Sequence, residues 1–254
     1  MTWRAYHILQ GLIFAGWGLF LMGIIFSGKI LFYINRRFVF IILLAGVALI
    51  GLATVVLGRN LKKDAAEENV HVHGDESAGH TNKGPSILNL VILGVPLLLG
   101  IILPPRPLSS SVVATHGINS SAPLAKLRDS STTAVSLSST QKSVLDWVAD
   151  FNSAADPAKF TGQQVHVTGF VYHDPRMSGS QFLVGRFVVT CCVADALALG
   201  MVVNWPEAGK FTDNSWVQVD GTVTVENLSG QRLPGIDASR VSLINTPDQP
   251  YLFP

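Results

Sequence analysis

The chain holds two cysteines, and they are neighbours at Cys191 and Cys192. Thiolates are soft metal ligands and nucleophiles, so two adjacent thiols could bind one ion or form a vicinal disulfide. Asp195 is the nearest further ligand, with His166 or His173 as more distant candidates. The alternative is a pair of small buried hydrophobes, one on each face of a strand. The concentration of both thiols at one place favours a functional thiol site.

A second group of metal-ligating residues lies in a polar segment at residues 59–84. His71, His73 and His80 occur there among acidic residues. Neutral imidazole is a common ligand of zinc-like ions, so the segment predicts weak capture of a transition-metal ion. A solvated connection of mixed charge that happens to contain three histidines is the alternative.

Arg186 is the third candidate, because it lies inside the apolar stretch 182–190. Burying an unpaired guanidinium is expensive, and arginine is mostly exposed in proteins. We therefore expect this side chain on the exposed face of a strand. The sequence contains no nucleophile elbow, Walker loop, zinc-protease helix or dinucleotide fingerprint, so a thiol-redox role is the one enzymatic class that it allows.

The amino-acid composition indicates that the chain is a membrane protein. Of 254 residues, 48% are hydrophobic and 14% charged, against about 25% charged in soluble domains. Three stretches without Asp, Glu, Lys or Arg cover residues 5–28, 38–58 and 84–105. A helix needs about 20 apolar residues to cross a bilayer. We therefore predict that residues 1–107 form a membrane region with three spanning helices, at about 6–28, 38–58 and 86–103.

Small residues in the first span predict a packing surface. Gly11, Ala15 and Gly18 are four and three positions apart, which places them on one helix face where another helix could approach closely. Glycine is also frequent in membrane helices for other reasons, which is the alternative.

The remainder of the chain predicts a tether and a small β-rich domain. Residues 108–142 are rich in Ser, Thr and Ala, as expected of a tether or a short ordered arm. A short helix at 143–152 would begin with Ser143 as N-cap and Asp146 completing a capping box. Period-two alternation and strand composition predict strands at 165–172, 182–190, 201–205, 216–225 and 239–245. The stretch 216–225 is either one long strand bent at Gly221 or a hairpin with a tight turn there. Five short strands and a helix within 143–254 favour an OB-like barrel.

The charge balance argues against a nucleic-acid ligand. The formal net charge is +1, and beyond residue 107 there are 9 basic and 12 acidic residues. A protein that binds nucleic acid usually presents a strongly basic surface.

The complete pattern resembles the YcgQ-like family of bacterial permease subunits. The shared features are the N-terminal spans, the His-bearing loop and a C-terminal domain with the stretches Phe-Leu-Val-Gly-Arg-Phe and Cys-Cys-Val-Ala-Asp-Ala. The residues that match the family's motif are Arg186, Cys191, Cys192 and Asp195. The resemblance implies an accessory subunit beside a multi-spanning permease, sometimes in metal homeostasis, with no established enzymatic activity.

We therefore expect a multi-pass protein of the bacterial plasma membrane that assists transport of a zinc-like transition-metal ion. The alternative is a membrane-tethered thiol-redox or ligand-binding sensor that works without a permease. Five Lys and Arg residues flank the spans on one side and four on the other, so charge barely sets the orientation. The Ser/Thr-rich tether and the paired cysteines favour a C-terminal domain outside the cytoplasm.

Overall fold

The computed structural model of the chain describes residues 3–66, 86–118 and 138–253. They form two compact units. One consists of Met1–Ile30 and Arg36–Pro105, and the other of Leu31–Asn35 and Arg106–Pro254. The predicted ligands His71, His73 and His80 lie outside the described residues.

The first unit is built from three helices: α1 at Trp3–Phe26, α2 at Val39–Ala66 and α3 at Ile87–Ile102. Two helical segments, Trp3–Phe26 and Arg36–Arg59, are long and apolar enough to cross a bilayer, with mean hydropathies of 2.0 and 2.9. The second span, Arg36–Arg59, agrees with the predicted 38–58, and helix α2 continues beyond this span to Ala66. The added stretch contains Leu, Lys and Ala, which are good helix formers.

Helix α1 packs against α2 through its small residues. A Cβ at Gly18 would lie 2.5 Å from Ile50 Cγ1, and one at Gly11 would lie 2.8 Å from Leu57 Cγ. Gly11 faces Leu57 and Gly18 faces Ile50, so the two helices run antiparallel. Gly11 and Gly18 therefore form the close helix contact that their spacing predicts.

Helix α1 also packs against α3, and here the two helices run parallel. Trp17 Nε1 donates a 2.9 Å hydrogen bond to the carbonyl oxygen of Leu93. A Cβ at Gly100 would lie 3.0 Å from the Phe20 ring. Pro96 lies within the 16 residues of α3, where the carbonyl freed by proline is tolerated in an apolar helix.

Two short helices introduce the second unit. Helix α4 covers Ser110–His116, and its Val113 is 2% exposed against the β-rich domain. The sequence predicted a tether or a short ordered arm from residue 108, and residues 110–116 form an ordered, packed helix. Helix α5 covers Val144–Ser153. Its predicted capping box is confirmed, because Ser143 and Asp146 each accept a hydrogen bond from the other's backbone N–H.

Six strands follow, and five of them correspond to the predicted ones. They are β1 at Gln164–Tyr172, β2 at Gln181–Val188, β3 at Leu197–Asn204, β4 at Trp216–Leu228, β5 at Gln231–Ile244 and β6 at Tyr251–Leu252. The prediction missed β6 and the first half of β5. Ser229 and Gly230, with φ of 53° and 85°, form the two-residue turn between β4 and β5. The predicted bend at Gly221 is a bulge inside β4.

The pairings of β1 to β5 close into a ring. Each strand pairs with the next in the order β1, β4, β5, β3, β2, and β2 pairs again with β1. All of these pairs are antiparallel except β3–β5. Helix α5 covers part of the core, which includes Trp147, Val148, Phe182, Leu199, Met201 and Ile236. The C-terminal domain is therefore mainly β, as predicted.

Candidate metal centre

The two cysteines lie in the connection between β2 and β3. Strand β2 ends at Val188, and a single turn of 3₁₀ helix at Val193–Asp195 precedes β3. We call residues 190–195 the dithiol turn. Side chains alternate across a regular strand, so adjacent thiols can serve one ligand only where the strand has ended. Both cysteines are in this position.

The carboxylate of Asp195 holds the dithiol turn together. Its Oδ1 accepts a 3.0 Å hydrogen bond from the Thr190 N–H. Its Oδ2 accepts from the N–H of Cys191 at 2.7 Å and of Cys192 at 3.3 Å. Three backbone donors at a strand end are thus satisfied by one side chain, which folds the turn around the carboxylate.

The ligand atoms of Cys191, Cys192 and Asp195 all lie within 4.8 Å of one another. Ligands of one zinc-like ion lie at about 2.0–2.3 Å from it, so atoms clustered at this spacing are close enough to be brought to a shared ion by side-chain rotation. Cys191 is exposed, Cys192 is half-buried, and both are free thiols. The alternative of two buried hydrophobes is therefore wrong.

The surroundings of Cys191 disfavour its thiolate when no cation is present. Desolvation raises the pKa of this thiol, and the neighbouring Cys192 and the Asp195 carboxylate raise it further. A thiol that stays protonated is a weak nucleophile. A cation held by Cys191, Cys192 and Asp195 would reverse this balance, because it would stabilise both thiolates and the carboxylate.

A distant segment of the chain packs on the dithiol turn. Within the second unit, Leu31–Asn35 lies beside it, and Ile34 forms an antiparallel bridge with Cys192. The Asn35 N–H donates to the Cys191 carbonyl at 2.9 Å, and Asn35 Nδ2 donates to the Thr190 carbonyl at 2.9 Å. Sequence reasoning missed Asn35, and no local pattern could have found it, since its partners are more than 150 positions away.

The two histidines considered as further ligands are paired with other carboxylates. His166 Nδ1 lies 2.5 Å from Asp220 Oδ1. His173 Nδ1 lies 2.8 Å from Asp213 Oδ1. The structure therefore does not bring them to the thiols.

Arg186 is buried, at 7% exposure, so the expectation of an exposed side chain is wrong. Its guanidinium donates to Thr168 Oγ1 at 3.2 Å and to the Gln249 carbonyl at 3.1 Å, and lies 5.1 Å from the Trp216 ring centre. Burial lowers its pKa to about 10, which leaves the side chain charged at neutral pH. These partners lie on β1, on β4 and next to β6. Contacts with other parts of the domain therefore take the place of the solvent expected around an arginine on an exposed strand face.

Comparison with known proteins assigns the whole arrangement to one family. The model of the DUF1980 N-terminal domain matches residues 9–119, and that of the DUF1980 C-terminal domain matches residues 118–254. The chain belongs to the DUF1980 family. The C-terminal DUF1980 match contains β1 to β6 and the dithiol turn, and the N-terminal match contains α2 and α3.

Two curated relatives support this assignment. One, from Streptococcus mutans, is 25% identical over 97% of this chain and 99% of its own length, and is named "Putative two-component membrane permease complex subunit". The other, UPF0703 protein YcgQ of Bacillus subtilis, is 29% identical over 38% of this chain and 35% of its own length. The resemblance to the YcgQ-like family is thus confirmed.

Proposed function

We propose that this DUF1980 protein is an accessory subunit of a multi-spanning membrane permease, and that it binds a zinc-like transition-metal ion at Cys191, Cys192 and Asp195. The name of the S. mutans relative supports the permease role. The observation that carries the metal site is the proximity of the three ligand atoms, within 4.8 Å, on a turn whose thiols are reachable from solvent.

The donor set suits transfer of an ion better than permanent storage. Structural zinc sites are closed by four protein ligands, whereas sites with three keep one position open. Two thiolates select soft or borderline ions such as Zn²⁺ and Cu⁺. An open position lets a partner donate a ligand and take the ion over.

We further propose that α3 crosses the membrane as a third span. Along the parallel contact with α1, Leu93 faces Trp17 and Gly100 faces Phe20, so α3 follows the same stretch of apolar helix. Leu31–Asn35 and the β-rich domain belong to one unit. If α1 and α2 each cross the bilayer, Leu31–Asn35 lies on one side and the end of α2 on the other. The chain must then cross once more before residue 106, so that the β-rich domain is on the same side as Leu31–Asn35.

On this topology, the dithiol turn and the histidine segment lie on opposite sides of the membrane. We propose that the β-rich domain is outside the cytoplasm and that His71, His73 and His80 are inside. Alkaline phosphatase fused after Pro254 should then be active. A fluorescent reporter that folds only in the cytosol should be dark at the same position, and fluorescence there would reverse the orientation.

The ring of five paired strands supports a closed barrel of the OB type. Four antiparallel pairs and one parallel pair, β3–β5, connect the five strands in a cycle. Each of the five strands therefore has two neighbours among them. In this proposal the barrel is a rigid support that presents the dithiol turn. The role proposed for the turn is metal binding, because the ligand atoms of Cys191, Cys192 and Asp195 are clustered there.

The test is metal binding by the full chain, purified in detergent under reducing conditions. Wild-type protein should bind one equivalent of Zn²⁺ with the Cys191/Cys192 pair intact. The double variant Cys191→Ser/Cys192→Ser should lose this binding, whereas the control Ser178→Ala/Ser180→Ala, in the exposed turn before β2, should keep it. Equal zinc content in wild type and the cysteine variant would overturn the metal site.

Co-purification tests the permease role separately. A tagged chain, solubilised from its native membrane, should retain a multi-spanning membrane protein. Recovery of the tagged chain alone, under conditions that preserve other membrane complexes, would contradict the accessory role.

A further inference from the structure

We infer that Leu31–Asn35, the segment that connects α1 and α2, positions the dithiol turn, so that metal binding and docking of this segment are linked. The inference rests on the proposed metal site and describes how that site is regulated. It assigns a positioning role to Asn35, which donates hydrogen bonds to backbone carbonyls of Val189, Thr190 and Cys191.

The contacts are made to the peptide units that carry the thiols. The Asn35 N–H donates to the carbonyl of Cys191 at 2.9 Å. The Val193 N–H donates to the carbonyl of Tyr33 at 2.8 Å. Together these two bonds form the bridge in which Ile34 faces Cys192. The segment thus acts as a short added strand along the dithiol turn.

The Asn35 side chain closes the same contact from within. It is 2% exposed, and its Nδ2 donates to the carbonyls of Thr190 at 2.9 Å and Val189 at 3.4 Å. These carbonyls directly follow the end of β2 at Val188. An amide that donates to both of them fixes the backbone on which the ligands are mounted.

This arrangement divides the support of the turn between two elements. Asp195 binds the N–H groups of Thr190, Cys191 and Cys192 from inside the turn, whereas Asn35 binds carbonyl groups from outside. A metal ion adds a third constraint by holding two sulfurs together. Because binding linkage is reciprocal, an ion that favours the docked turn must also favour docking of Leu31–Asn35. This segment is part of the connection between α1 and α2. Metal binding at the dithiol turn therefore changes how firmly that connection is docked.

The test compares zinc affinity in the full chain, in detergent, for wild type, Asn35→Ala and Asn35→Asp. Groups that orient metal ligands contribute about 10–100-fold to affinity, so both variants should bind Zn²⁺ at least about tenfold more weakly. The aspartate has the size of asparagine but, when ionised, cannot donate to the Thr190 carbonyl. The control Ser27→Ala changes a residue of the same helix connection whose hydroxyl bonds to Ile24, and should bind as wild type does.

A second measurement uses unmodified protein and so does not depend on folding of the variants. Zinc should slow hydrogen exchange at the amides of Asn35 and Val193, the two donors of the bridge. Exchange there that does not respond to bound zinc, or variants of unchanged affinity, would overturn the linkage and leave the metal site standing. If wild type binds no zinc, the proposed function fails instead. Val193 exchange in metal-free Asn35→Ala then decides the positioning role: faster exchange supports it, and unchanged exchange overturns it.

Discussion

Two groups of functional side chains near the end of β2 differ in their exposure to solvent. Arg186, on the strand, is buried and held by Thr168, by the Gln249 carbonyl and by the Trp216 ring. Cys191 and Cys192, just beyond the strand, are reachable from solvent, and their backbone N–H groups donate to the Asp195 carboxylate. The buried cation joins three parts of the domain to one another, whereas the dithiol turn leaves its reactive atoms free for a ligand. Membership of a shared motif therefore does not imply a shared role.

The largest effect on stability is expected at Arg186. Arg186→Ala removes two hydrogen bonds and the contact with Trp216, and leaves the Gln249 carbonyl without that donor. We expect a loss of roughly 2–4 kcal/mol in the free energy of unfolding, measured by denaturant titration of the full chain in detergent. Arg232→Ala, at an exposed position of β5, is the control and should change it by less than about 0.5 kcal/mol.

Zinc binding by Arg186→Ala tests whether Arg186 and the dithiol turn have separate roles. Folded Arg186→Ala should bind Zn²⁺ as wild type does, because Arg186 makes no contact with the dithiol turn in the described part of the chain. A large stability loss together with intact zinc binding separates the two roles. Arg186→Ala of wild-type stability, or with no zinc affinity while still folded, would break the distinction.

Asp195 should show an intermediate effect. Asp195→Ala leaves the N–H groups of Thr190, Cys191 and Cys192 without their acceptor, at a cost of about 1–2 kcal/mol, similar to that of a lost helix cap. Hydrogen exchange at these three amides should accelerate, and zinc binding should weaken. Asp195→Asn keeps an acceptor oxygen and should restore part of the protection. Exchange rates equal to wild type in the alanine variant would show that the turn does not depend on the carboxylate.

The smallest effect concerns an arginine that, unlike Arg186, has a carboxylate partner. Arg176 donates to both oxygens of Asp174, at 2.8 and 2.6 Å, and this hydrogen bonding lowers the pKa of the Asp174 carboxyl. A lowered folded-state pKa stabilises the fold above the unfolded value of about 3.9. The contribution disappears as the pH falls through the lower, folded-state pKa.

Asp174→Asn should therefore lose about 1 kcal/mol or less at neutral pH. Below pH 4 its stability should converge toward that of wild type. Unfolding curves measured at several pH values between 7 and 3 report this difference. A gap between the two proteins that stays constant over this range would show that the ion pair does not contribute to acid sensitivity.

The sequence was most informative where local rules decide the structure. The capping box of Ser143 and Asp146, the close approach at Gly11 and Gly18, and the period-two strands depend on neighbouring residues, so they could be predicted. The adjacency of Cys191 and Cys192, with Asp195 close behind, likewise predicted a ligand cluster, and the structure brings their ligand atoms together.

The features that the sequence did not predict depend on distant contacts. The burial of Arg186 requires Thr168, Trp216 and Gln249, which come from other parts of the domain. Asn35 meets the dithiol turn across more than 150 positions, and its position in a basic connection between two apolar stretches suggests only a solvated loop. Short strands such as β6 form because a partner is present, so their two residues carry no pattern of their own.

X-ray absorption at the zinc edge of the zinc-loaded full chain tests directly whether the dithiol turn holds the metal ion. We expect two sulfur neighbours at about 2.3 Å, with the remaining ligands oxygen or nitrogen at about 2.0–2.1 Å. The sulfur signal should vanish in Cys191→Ser/Cys192→Ser. A wild-type spectrum containing only oxygen and nitrogen neighbours would contradict a metal centre at the dithiol turn.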